Sequence, residues 1–358
     1  MDYVLREGPA FTDVLAAAER REAATLFVLG AGFDPRTCTA LRALVDRRGS
    51  ENLHIARLEL RPPAVGGVEQ ATAERNRREI EMIGALHGAR LTDLPWPVVA
   101  DPSSAGPRII RDLIEGDHLN GIDQVIVDIS ALPRGVYFSV LGGLLQLAHD
   151  GRFDGDLHAV VCDNPALDDV ILEEGAEAPG TLGGFSGRLE EARSITRQPI
   201  VWAPVIGPRK LAQLRSLLTF LDPNEICPVL PFPAADPRRP DDLVLEYREF
   251  LFGEEADVGP RNFIYAAEAN PFDLYRTLGD LQARYRDALA PLGGATVALS
   301  AHSSKLLSIG VLLAAYEHRL PVVHVFPTRY YIAEGADVDA LADYDHLTDL
   351  WLAGEPYR

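Results

Sequence analysis

The chain has 358 residues, enough for about two domains of ordinary size. Its formal net charge of −19 excludes a broad nucleic-acid or anionic-membrane surface but leaves room for a local basic pocket. Hydrophobic content of 47% supports a sizeable core, and no apolar run approaches a membrane span or a secretory leader, so a cytoplasmic protein without membrane contact is expected. Cys38, Cys162 and Cys227 lie far apart, without metal-ligand spacing, and read as small apolar fillers in a reducing compartment.

Residues 1–23 are expected to hold a docking helix, carried by the amphipathic stretch Phe11 to Glu22. Thr25 to Leu29 is an unbroken apolar run, the mark of a strand buried on both faces. Its loop is Gly30-Ala31-Gly32-Phe33-Asp34-Pro35-Arg36, and a helix with Leu41, Leu44 and Val45 on one face follows. Leu53 to Leu60 predicts a strand, Ala71 to Leu86 a charged helix, Pro97 to Ala100 a short strand, and Pro107 to Ile114 a helix. Gln124 to Leu147 is the most marked stretch: a buried strand through Ile129, a turn Ser130-Ala131-Leu132-Pro133-Arg134, then a helix containing Gly142 and Gly143. Leu157 to Cys162 closes a first unit of 24–167. Residues 168–198, Gly-rich and then charged, read as a linker and connecting helix.

The order then recurs over 199–327. Ile200 to Ala203 is a strand, Pro204 to Arg209 its loop, and Gln213 to Leu221 a helix. Strands at Ile226 to Leu230, Phe263 to Ala267, Thr296 to Leu299 and Val322 to Phe326 follow, with the turn Ser300-Ala301-His302-Ser303-Ser304-Lys305 before a helix from Leu306. Pro35-Arg36 matches Pro208-Arg209, and Ser130-Ala131 matches Ser300-Ala301, at a shift of about one domain's length. The expected class is α/β: two duplicated Rossmann-like parallel-sheet units forming an intramolecular pseudo-dimer. Residues 328–358 read as a C-terminal tail with a short acidic helix.

In open α/β sheets ligands sit at the carboxyl ends of strands, where helix amino termini favour anions. Arg36 and Arg209 stand at such ends; each would hold a phosphate or carboxylate, or pair with a neighbouring acid. Arg134 and Lys305 sit late in the two turns, with Ser130, Ser300, Ser303 and Ser304 as hydroxyl donors or helix caps. Asp128 is a catalytic carboxylate or a buried partner for Arg134. His302, with Ser303, is a candidate base in a site turn, and Arg329 could reach a phosphate beyond the last strand or belong to a packed exit loop. Gly30 and Gly32, with Glu59 ending the second strand, offer a methyltransferase-like place for S-adenosylmethionine or are simple turn glycines. No other cofactor and no metal is expected, since no histidine pair has ligand spacing.

Over residues 24–327 the arrangement resembles the CRISPR-associated Rossmann fold (CARF) and its relatives, the SAVED domains. The resemblance is carried by the order of strand, phosphate-friendly loop and helix, then strand and a small-polar turn ending in a cation, Arg134 or Lys305. It implies a cyclic oligonucleotide held between the carboxyl ends of the two sheets, and a signal passed to a separate effector protein in prokaryotic antiviral defence. The same resemblance allows a ring nuclease, using His302 or Ser303 on the bound ligand. A scaffold with vestigial sites is the reading outside both classes.

Overall fold

The computed structural model describes residues 4–7, 23–48, 52–60, 67–97, 102–175, 178–187, 189–192, 198–341 and 346–357. The stretch Phe11 to Glu22 lies outside them, as do residues 98–100 of the expected short strand. The described chain divides into two compact units, Met1–Gly175 with Pro327–Arg358, and Ala176–Phe326.

In the first unit the buried apolar runs form β2 (Thr25–Ala31), β3 (Leu53–Glu59), β5 (Gln124–Asp128) and β6 (Asp156–Cys162). They join β4 (Arg90–Leu94) in a parallel sheet ordered β4-β3-β2-β5-β6. The third strand of this sheet is Arg90–Leu94, directly after the helix Val68–His87. With Thr92 half-buried and Asp93 exposed, it is an edge strand and lacks the continuous apolar run of its neighbours.

Helices α1 (Thr39–Arg48), α2 (Val68–His87), α3 (Ala105–Glu115) and α4 (Arg134–His149) link these strands. Phe27, Leu29, Ile55, Ile126 and Val160 of the sheet pack on Leu41 and Leu44 of α1 and on Ile80 and Ile83 of α2. Residues 168–175 are not a linker: α5 (Pro165–Val170), capped by Asn164 with proline at its start, leads into β7 (Ile171–Glu174), both within the first unit.

The C-terminal stretch also belongs to this unit rather than forming a tail. Within it, β15 (Arg329–Ile332) pairs with β7, and β16 (Leu347–Ala353) runs antiparallel between β6 and β1 (Val4–Glu7). Buried His158 of β6 pins β16: its Nδ1 lies 3.0 Å from the Asp349 carboxylate, and its ring stacks on Trp351.

The second unit holds β9 (Ile200–Val205), β10 (Glu225–Ile226), β11 (Val229–Pro231), β12 (Ile264–Ala266) and β13 (Thr296–Ala301), all pairing in parallel. β10 and β11 pair with the same edge of β9, interrupted at Cys227-Pro228, and β13 takes its other edge. Leu299 of β13 bridges in parallel to Val322, beside the short pair β8 (Gly180–Thr181) and β14 (Val323–His324). By rank in the chain, both sheets follow the doubly wound order 3-2-1-4-5. Trp202, Leu230 and Ala298 pack on Leu214, Leu217 and Leu221 of α6 (Leu211–Leu221), and on Leu243 of α7 (Arg239–Glu246) and Phe250 of α8 (Arg248–Phe252). α9 (Pro271–Ala288) begins on the Asn270 cap, and α10 (Lys305–His318) follows β13.

Candidate functional site

Doubly wound sheets form their crevice where the order reverses, between the first strand and the fourth. In the first unit that point lies at the ends of β2 and β5, in the second at the ends of β9 and β13. The four loops named from the sequence occupy these ends.

After β2, Arg36 is buried, at 2% exposure, and committed. Its Nε and one terminal nitrogen clasp Asp34 at 2.9 and 2.8 Å, and the other terminal nitrogen meets Asp168 at 2.9 Å. Burial alone would lower its pKa, but the two carboxylates outweigh that and raise it well above the usual value. Asp34 also accepts the Arg36 amide, at 3.0 Å, so the position expected to seat a ligand's anion holds the chain's own. Buried Asn76 of α2 fixes the loop, donating to the carbonyls of Gly32 and Asp34, each at 2.8 Å. Gly30 and Gly32 are explained locally: a Cβ on them would lie 2.7 Å from Leu132 and 2.8 Å from Leu60. Glu59 is bound by Arg77 and lies 3.5 Å from Arg57.

After β5, Asp128 accepts the Ser130 amide at 2.9 Å, and the fully buried Ser130 hydroxyl accepts the Cys162 amide at 2.8 Å. The second of these bonds ties the ends of β5 and β6 together. Arg134 is the first residue of α4, where Pro133 supplies no side-chain cap. Tyr330 of β15 lies in its field: burial and Glu173 push the phenol up, while Arg134 pulls it down. Arg329 is bound by Glu174 and lies over the Tyr331 ring. Burial also pushes up the thiols of Cys38, Cys162 and Cys227, Cys162 to about 12, which makes them inert fillers.

After β9, Arg209 is exposed with φ +58, and its amide donates to Glu246 at 2.6 Å. The buried Tyr247 hydroxyl donates to Gly207 O at 2.6 Å and accepts the Lys210 amide at 2.8 Å. Here too the loop amides are taken by the chain's own groups. A Cβ on Gly207 would stand 2.1 Å from His302 O, so only glycine lets the two loops of this switch point meet.

Near the end of β13, within the strand rather than the turn, fully buried Ser300 accepts from Trp202 Nε1 at 3.0 Å and pairs with His302 Nε2 at 2.9 Å. With the indole as donor, the serine proton is directed to His302. His302, 6% exposed, thereby belongs to a buried chain that orders the turn, which sets it apart from a solvent-facing base. Ser304 caps α10 through the Leu307 amide, at 3.1 Å; Ser303 is half-buried; and Lys305 is the first residue of the helix.

Asp168, Asn76, Glu246 and Tyr247 were not singled out from the sequence. The spacing Asp34-Pro35-Arg36 was the one visible sign that this arginine had an acid of its own. Among the described residues, no group of three metal-ligating side chains occurs and no helix is long and apolar enough to cross a membrane.

No protein-family model and no curated protein matches the chain. Among solved structures it is similar to the antimicrobial reagent A40926 pseudoaglycone deacetylase Dbv21, at 13% identity and TM-score 0.28, over 48% of this chain and 78% of that one. It is also similar to a protein described as a universal stress protein from Pseudomonas aeruginosa UCBPP-PA14, at 10% identity and TM-score 0.22, over 92% and 98%. Likenesses at these scores carry no argument about function, and the α/β class stands on the strand pairing itself.

Proposed function

We propose that the chain binds nucleotide phosphate at two helix openings, that of Arg134 in the first unit and that of Lys305 in the second. The observation that carries this is positional. Each cation is the first residue of the helix that follows the fourth strand of its sheet. A long helix opening beside a switch point concentrates backbone N–H groups and the positive end of the dipole, and a cation there adds to the same field.

The ligand class that fits the CARF-like order is a cyclic oligonucleotide. The chain would act as its sensor, with a separate effector protein receiving the signal in prokaryotic antiviral defence. A net charge of −19 suits a protein recipient rather than DNA.

A thermal-shift screen of the purified chain tests this, with cyclic di-, tri- and tetranucleotides, linear nucleotides and S-adenosylmethionine. A ligand at about 100 times its Kd adds roughly 2.7 kcal/mol, a visible shift. A shift with S-adenosylmethionine alone would overturn the proposal.

A further inference from the structure

We infer that Phe232 and Tyr265 of the second unit form a stacking platform for a nucleotide base. The inference rests on the proposed nucleotide reading and assigns the base to a place. Both side chains are large, aromatic and about half in water, at 52% and 53% exposure. Their rings meet edge to face, with centroids 6.1 Å apart. Rings of this size normally enter a core or an interface, and two held out together on a fixed scaffold present a π-face.

The scaffold is rigid. Phe232 is the first residue beyond β11, and its amide donates to Ala266 O at 2.7 Å. The Glu268 amide donates to Pro233 O at 2.9 Å, and the Ala235 amide to the Glu268 carboxylate at 3.0 Å. Tyr265 stands in β12, opposite Leu230 of β11. Little backbone freedom remains to be lost in this loop on binding.

The place fits a base and not a phosphate. β11 ends beside β9, and β13 lies on the other edge of β9. Strands are about 4.8 Å apart, so the ends of β11 and β13 are separated by about 10 Å. One nucleotide covers such a span from its phosphate to its base. With phosphate at the α10 opening by Lys305, the base falls at the end of β11. Glu268, bonded into the Phe232 loop, disfavours a second anion there.

The test is calorimetric titration of the full chain with adenosine and guanosine 5′-monophosphate, the cyclic oligonucleotides, and ribose 5-phosphate as a baseless probe. Phe232→Ala should weaken nucleotide binding by about 5- to 150-fold, the range for losing one base stack, and Tyr265→Ala by less. Neither should change ribose 5-phosphate binding, and Phe232→Trp should retain nucleotide affinity. Lys305→Ala should weaken both kinds of probe. Wild-type affinity in both aromatic variants, with Lys305→Ala impaired, overturns the platform and leaves the nucleotide reading standing. Equal losses for nucleotide and ribose 5-phosphate in Phe232→Ala also overturn it. Failure of the wild type to bind any probe overturns the reading and the platform together.

Discussion

Replacing Arg36 by alanine removes the centre of a buried ionic cluster. Asp34, only 10% exposed at its side chain, would lose both hydrogen bonds from the guanidinium and keep its charge in a dry site. Breaking a buried pair from one side costs about 3–5 kcal/mol, because the remaining charge is uncompensated. At about 2–4 °C per kcal/mol for a unit of this size, the melting point should fall by roughly 6–20 °C. Asp168 is 38% exposed at its side chain, so Asp168→Asn should cost less, about 1 kcal/mol. Arg36→Lys should fall between, since an ammonium cannot clasp a carboxylate with two parallel bonds. Urea denaturation of the three variants, with nucleotide titration of the folded protein, separates stability from binding. An Arg36→Ala protein that melts with the wild type yet no longer binds nucleotide would refute the ion-pair assignment and return Arg36 to the ligand site.

His54 is buried and bonded to Thr92, and burial, with Arg90 and His118 beside it, lowers its pKa to about 4. The unfolded chain therefore takes up a proton between about pH 6.5 and 4 that the folded chain refuses, and stability falls as pH drops through that window, by up to about 3 kcal/mol. His54→Gln should flatten this slope in denaturation midpoints measured from pH 7 to 4; parallel profiles would count against it. Tyr247→Phe deletes the hydroxyl that bridges Gly207 and Lys210 and should cost about 1–3 kcal/mol in chemical denaturation. Ser300→Ala orphans Trp202 Nε1 and His302 Nε2 together and should destabilise by about 2–4 kcal/mol. A near-neutral Ser300→Ala would mean that the buried chain does not order the turn.

The central strands were legible because apolar runs such as Thr25 to Leu29 and Val125 to Val127 are long, unbroken and rich in branched residues. Edge elements were not. Arg90–Leu94 carries Thr92 and Asp93, and Leu347–Ala353 returns from far along the chain to pair with β6, a contact that no local pattern encodes. The site divides in the same way. That Arg134 and Lys305 open helices after buried strands follows from local order, and the structure places both there. What occupies each first-strand loop depends on residues distant in sequence: Asp168 for Arg36, and Glu246 with Tyr247 for the Gly207 loop. An arginine at a strand end looks the same in sequence whether it awaits a phosphate or already holds an aspartate. Phe232 gave no periodic signal, being a single aromatic in a Pro-rich loop.

The most direct measurement is equilibrium binding of the cyclic oligonucleotide that gives the largest thermal shift, to the wild type and to Arg134→Ala and Lys305→Ala. Each substitution removes a charge-assisted contact worth about 1.5–3 kcal/mol, so each should weaken binding at its own unit by roughly 10- to 150-fold in protein that is still folded. Wild-type affinity in both variants, or binding lost only together with folding, would contradict the account.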